Sequence, residues 1–225
     1  MSIPRQYFVI VVLYVLLVAG GVWHLLGVLQ TEMRQLAAPM ITLLSLVLGF
    51  AHFRHLQNNE TQRVLKKYLS WTAFVLAGSF FIELAGVKSG VIFGVYAYGD
   101  TLQPTLWEVP LAIGFAWLTM VLSATATAQR MIGPRLARAP WLTALSVAFF
   151  MVIFDFFMEP AAMKLGYWNW HHGTVPWRNY FAWFVFGCFF SYTGLRLRLF
   201  TSGIPAVATH AYLAQLLYFI MVNLS

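Results

Sequence analysis

Three carboxylates carry most of the chemistry this sequence offers: Glu83, Asp155 and Glu159, each set within an apolar run. An ionised carboxylate inside a bilayer is costly, so an acid there marks a function and calls for a named partner. Asp155 and Glu159 stand one helical turn apart on one face, and Pro160 limits how regular the helix stays beyond them. Bringing Glu83 alongside crowds carboxylates in an apolar setting, where desolvation and like charge favour keeping a proton on at least one. A carboxylic acid that keeps its proton near neutral pH is a donor, and its ionised neighbour is a base. The competing structural reading is a set of buried hydrogen bonds, with Arg178 or Lys164 as partners, that fixes helix packing.

Other polar groups are placed less tellingly. Asn179 opens a helix at the rim where the acids gather and is positioned to orient a water or a carboxylate. His171 and His172 follow an aromatic segment within reach of the acids, and His24 falls near the same interface, where a lone histidine is more often a hydrogen-bonding rim residue. His210 and Gln215 are expected to make interhelical hydrogen bonds.

Absences narrow the choice. The single His-x-x-His pair, His52 and His55 in the basic loop, is too little for a histidine-rich di-iron site, and no metal site is expected. There is no lysine in the last span for a retinal Schiff base, no aspartate-rich motif for a magnesium diphosphate, and neither a dinucleotide glycine fingerprint nor a Walker loop. One cysteine, Cys188, excludes disulfides within the chain. What remains needs only acids, aromatics and water.

The elements that must position these groups are membrane helices. Of 225 residues, 60% are hydrophobic and 9% charged, the profile of a polytopic membrane protein. Apolar runs long enough to cross a bilayer lie at roughly 7–28, 36–53, 69–86, 106–128, 141–163, 179–195 and 204–222. The expected fold is an all-α bundle of about seven transmembrane helices forming a single domain over 1–225. The first run continues past a signal-peptide length into Trp23 and His24, so an uncleaved helix is expected.

The net charge of +7 does not indicate nucleic acid, because the basic residues segregate by side. Arg5, Arg54, Arg63, Lys66, Lys67, Arg130, Arg135, Arg138, Arg196 and Arg198 fall on the N-terminal side; Arg34, Lys88, Lys164 and Arg178 fall on the other. That bias places the N-terminus in the cytoplasm and the C-terminus outside, in a bacterial inner membrane. The stretch "QRVLKKYLS" is then an anchor on anionic lipid. Six of the seven acids gather toward the outer face; Glu60 does not.

Two segments share a pattern. Gly94-x-Tyr96-x-Tyr98 precedes Val109-Pro110-x4-Phe115-Ala116-Trp117, and Gly166-x-Trp168-x-Trp170 precedes Val175-Pro176-x4-Phe181-Ala182-Trp183. Stepping back equally from each glycine reaches Glu83 in one copy and Asp155 in the other. This predicts a parallel internal repeat, helices three and four with five and six, about an axis along the membrane normal. Glycine and aromatics at every second position have the period of a strand, so the two connections are expected to pair as a short aromatic cap over the outer end. The plainer reading of Tyr96, Tyr98, Trp168 and Trp170 is an interfacial aromatic belt.

The segments "FIELAGVKSGVIFGVYAYGD", "VPLAIGFAW", "DFFMEPAAMKLGYWNW" and "VPWRNYFAWF", in this order over roughly residues 80–185, resemble the integral-membrane carotenoid 1′,2′-hydratases of the carotenoid biosynthesis proteins. The resemblance implies cofactor-free addition of water to the terminal double bond of an acyclic carotenoid end group, of the lycopene or γ-carotene type. With that reaction in view, Asp155 is the leading proton donor, Glu83 the base or water-orienting partner, and Glu159 their electrostatic neighbour; the first two roles are interchangeable. Tyr96, Tyr98, Trp168 and Trp170 would face the cation, with Asn179 and His171 orienting water. The expected partners are a carotenoid within the bilayer and membrane lipids, not nucleic acid, with a homo-oligomer or association with other carotenoid enzymes left open. The rival readings are an end-group cyclase or isomerase, a small proton-coupled transporter, and a non-catalytic carotenoid-binding protein.

Overall fold

The computed structural model describes residues 5–131 and 139–225, which leaves Arg135 and Arg138 of the basic set outside the described residues. Among the described residues the chain forms seven helices: α1 (Arg5–Leu25), α2 (Gln30–Asn59), α3 (Gln62–Ser89), α4 (Ala112–Met131), α5 (Pro140–Lys164), α6 (Trp177–Arg196) and α7 (Ala206–Leu224). Six are long and apolar enough to cross a membrane; α6 is the exception. It carries buried polar residues, Asn179 and Ser191, as well as exposed Arg178, Tyr192 and Arg196, and both groups lower its hydropathy.

The helices alternate in direction. The Tyr14 hydroxyl meets His210 Nδ1 at 3.3 Å, and His24 Nε2 meets the Tyr218 hydroxyl at 3.1 Å, so α1 and α7 run the same way. Tyr212 donates to the Phe150 carbonyl and Asn223 to that of Phe157, which aligns α5 with α7 as well. Helix α4 is central, packed against α2, α3, α5, α6 and α7. A Cβ on Gly114 would stand 2.7 Å from the Leu76 carbonyl oxygen, so only glycine lets α4 approach α3 this closely.

Four short strands sit at one end of the bundle. β1 (Tyr96–Tyr98) and β4 (Trp168–Trp170) pair antiparallel, Tyr96 opposite Trp170, Ala97 opposite Asn169, and Tyr98 opposite Trp168. The expected pairing of the two aromatic segments is therefore present, and it is centred on equivalent residues of the repeat. β2 (Thr105–Leu106) and β3 (Val109–Pro110) form a second hairpin, with Trp107 and Glu108 both at positive φ, the turn geometry that suits strand twist. The first strand and turn of this hairpin fall within the insertion that lengthens the first copy by six residues, and the hairpin moves the start of the fourth helix from the expected 106 to Ala112. The backbone there is spent on strand pairing, which hydropathy alone does not register.

The opposite end is tied by histidines. His52 and His55 lie in the last turns of α2 and not in a loop; their Nε2 atoms contact the carbonyls of Leu199 and Ser202 at 3.0 and 2.9 Å. They fix the connection after α6, since backbone groups leaving a helix at that depth need partners.

Candidate functional site

Glu83 lies near the C-terminal end of α3, and β1 brings two hydroxyls back over it. Tyr96 donates to its Oε2 at 2.5 Å and Tyr98 to the same oxygen at 2.8 Å, while Trp117 Nε1 from α4 donates to Oε1 at 2.9 Å. The alternation of the strand would send Tyr96 and Tyr98 to one face, and that face is the one over Glu83.

Asp155 and Glu159 occupy one face of α5, which continues past Pro160 to Lys164. Trp168 and Trp170 from β4 each donate an indole N–H to Glu159 Oε2 at 2.8 Å. The Asn179 amide, at the start of α6, donates to Asp155 Oδ2 at 2.7 Å and to Glu159 Oε1 at 2.9 Å, joining the two acids. Asp155 Oδ1 is buried with no hydrogen-bond partner among the described residues. The three acids are at most 6% exposed.

No cation pairs with these acids among the described residues, where the one ion pair is Lys88 with Glu108, exposed at the rim. The expected candidates are engaged elsewhere. Lys164 Nζ donates to the carbonyls of Val222, Asn223 and Ser225, closing the end of α7, and Arg178 reaches the Val91 carbonyl.

A cavity of about 80 Å³ lies between the acids and the central helix. Glu83, Glu159, Asn179, Tyr96, Tyr98, Trp168 and Trp170 line its capped side; Ile41, Ile113, Met120, Phe154 and Phe219 make the rest apolar. A mostly apolar pocket with a few convergent polar groups is the form that binding sites take. Asp155 is not among the lining residues; it stands behind Asn179. His171 is exposed, edge-on to His172, and does not line the cavity; its backbone N–H continues the hairpin to the Val95 carbonyl. Gln215 does line it, with Nε2 donating to the Ala211 carbonyl of its own helix where an interhelical bond was expected.

The residue that sequence reasoning missed is Trp117. It sat in plain view in the repeated Phe-Ala-Trp triplet, but nothing in its spacing from Glu83 announces an N–H aimed at that carboxylate.

Fold and site together define a multi-helix membrane protein with a chamber at one end, lined by two buried acids with a third behind Asn179, and closed by a pair of aromatic strands. The chain belongs to the carotenoid biosynthesis protein family, which matches over residues 41–224. A bisanhydrobacterioruberin hydratase from Haloarcula japonica is 31% identical over 133 residues, covering 54% of this chain and 45% of that protein. The match thus spans less than half of that relative's length. No solved structure matches the chain.

Proposed function

We propose that the protein is a carotenoid 1′,2′-hydratase, adding water across the terminal double bond of an acyclic end group of the lycopene or γ-carotene type. One observation carries the reading: two buried carboxylates, Glu83 and Glu159, line an aromatic-capped cavity, a third, Asp155, stands behind Asn179, and no cation pairs with any of them among the described residues. Such a chamber is complementary to positive charge that appears only in the transition state. The hydratase named among the relatives supports the class of reaction.

A proton passes from a carboxylic acid to C-2′, the π electrons form the new C–H bond, and a tertiary cation is left at C-1′. Water then supplies the electron pair for the C–O bond and gives its extra proton to a carboxylate, which returns it to the first acid. Tyr96, Tyr98, Trp168 and Trp170 face the cation with their rings. Glu83 and Glu159 each accept three N–H or O–H donors, the inventory of an acceptor, whereas Asp155 accepts one. That difference favours Asp155 as proton donor, with Glu83 as base and Glu159 as electrostatic neighbour. Delivery asks the Asp155 side chain to turn past Asn179 toward the cavity; Glu83, already at the wall, is the alternative donor. By the bias of basic residues, this end faces the outer side of a bacterial cytoplasmic membrane.

The experiment is mass spectrometry of pigments from a lycopene-accumulating host expressing the protein, beside Asp155→Asn and Glu83→Gln. A more polar pigment heavier by one water, lost in both variants, is expected. In deuterated water the donor variant also loses label at C-2′, while the base variant still exchanges it, which separates the two roles. An isomer of unchanged mass would mean cyclisation and overturn the hydratase reading.

A further inference from the structure

Helix α4 treats its hydroxyls in two ways. Ser123, Thr125 and Thr127 donate back to the carbonyls of Met120, Val121 and Ser123 within the helix, the ordinary solution in an apolar setting. Thr119 does not. Its side chain is 2% exposed, its Oγ1 has no hydrogen-bond partner among the described residues, and it lines the acid-ringed cavity just past Trp117. A buried hydroxyl that forgoes its own helix carbonyl needs another partner. The cavity, at about 80 Å³, exceeds the roughly 10–15 Å³ that one water needs. From α7 the Gln215 carboxamide lines the same space.

We propose that Thr119 Oγ1 holds the water that captures the cation, making Thr119 the water-positioning residue of the chamber. This rests on the hydratase reading above. The hydroxyl accepts from or donates to the water while a carboxylate at the capped side receives the water's proton, so the threonine is unchanged at the end of the cycle. Water held on the α4 wall meets the cation from the side opposite the hairpin. Without it, the exit that needs no rearrangement of the chain is loss of a proton from C-2′ or a neighbouring methyl, which regenerates an alkene.

The two exits give the test. Wild type, Thr119→Val, Thr119→Ser and, as a control in the same helix, Thr125→Val are expressed in the lycopene-accumulating host in deuterated water, and pigments are analysed for hydration and for deuterium in unhydrated carotene. Thr119→Val is isosteric, so the wall keeps its shape. The expected result is hydrated pigment reduced roughly tenfold or more, the scale of one lost hydrogen bond in a dry site, with deuterium persisting in unhydrated carotene. Thr119→Ser should restore hydration, and Thr125→Val should match wild type. Hydration by Thr119→Val at the wild-type level overturns the proposal, as does parallel loss of hydration and deuterium, which would mark a structural or protonation defect. Failure of the wild type to hydrate would instead remove the underlying reading.

Discussion

Trp117 and Trp183 stack face to face, their ring centroids 4.5 Å apart and their planes 22° from parallel. They are the same residue in the two copies of the repeat. Ala97 and Asn169, also equivalent, face each other at the centre of the β1–β4 pair, so both contacts lie on one pseudo-twofold axis through the chamber. Glu83 and Asp155 are exchanged by that axis. The copies are not equal, however: Val87 stands where the second copy has Glu159, and Ile113 where it has Asn179. The two equivalent acids therefore sit in different surroundings, an arrangement that lets paired carboxylates differ in protonation.

Trp117 links this axis to chemistry, because its N–H reaches Glu83 Oε1 at 2.9 Å. Trp117→Phe keeps an aromatic ring on Trp183 but removes the donor. The loss of one hydrogen bond to a carboxylate, about 1.5–3 kcal/mol, predicts a lowered unfolding temperature and a fall in hydration that exceeds what the loss of folded protein accounts for. Pigment turnover in membranes, set against the unfolding midpoint of the purified protein in detergent, checks this. A fall in hydration that only matches the loss of folded protein would make the tryptophan a packing residue.

Trp168 and Trp170 donate to one oxygen of Glu159 from the same strand face. Removing either indole leaves the other donor in place, so Trp168→Phe and Trp170→Phe should each lower turnover mildly. The double variant should fall well below the product of the two single effects, the signature of a shared partner. Additive behaviour in this double-mutant cycle would argue against a common role on Glu159.

Much of this arrangement was legible in the residues themselves. The repeat, the equivalence of Glu83 and Asp155, and the pairing of Tyr96–Tyr98 with Trp168–Trp170 follow from spacing, since a period of two and a repeated glycine define strand faces. The contacts of Trp117 and Thr119 were not, because side chains one or two positions apart on a buried helix differ only by rotation about its axis, which tertiary packing sets. Polar residues end the apolar run at His52 and His55 and point to a loop there; α2 continues as helix because their Nε2 atoms find carbonyls across the bundle.

The Lys88–Glu108 pair, at 2.6 Å, looks strong by distance, yet its side chains are 53% and 69% exposed. Exposed pairs contribute about 0–1 kcal/mol, so Lys88→Met should leave unfolding temperature and pigment conversion close to wild type. A large drop in either would show that the β2–β3 hairpin depends on this contact to hold the chamber shut.

Gly99 separates the demands of space from those of backbone conformation. Its N–H donates to the Tyr167 carbonyl at 2.9 Å, and a Cβ there would collide with the Gly166 carbonyl oxygen. Backbone cannot swing aside as a flexible side chain does, so Gly99→Ala must push β1 away from the turn before β4. Tyr98 is its immediate neighbour, and the shift would draw that hydroxyl and Tyr96 off Glu83. Overpacking of this kind costs about 1–3 kcal/mol, so a lowered unfolding temperature and reduced hydration are expected together. Gly173, at φ 66° with nothing within 4 Å of an added Cβ, provides the contrast: Gly173→Ala carries backbone strain of about 1–2 kcal/mol at an exposed turn outside the cavity. It should lower stability while leaving the product ratio unchanged. If Gly99→Ala hydrates as efficiently as Gly173→Ala, the β1–β4 pair is a lid that the acids do not need, and the chamber's chemistry rests on the helices alone.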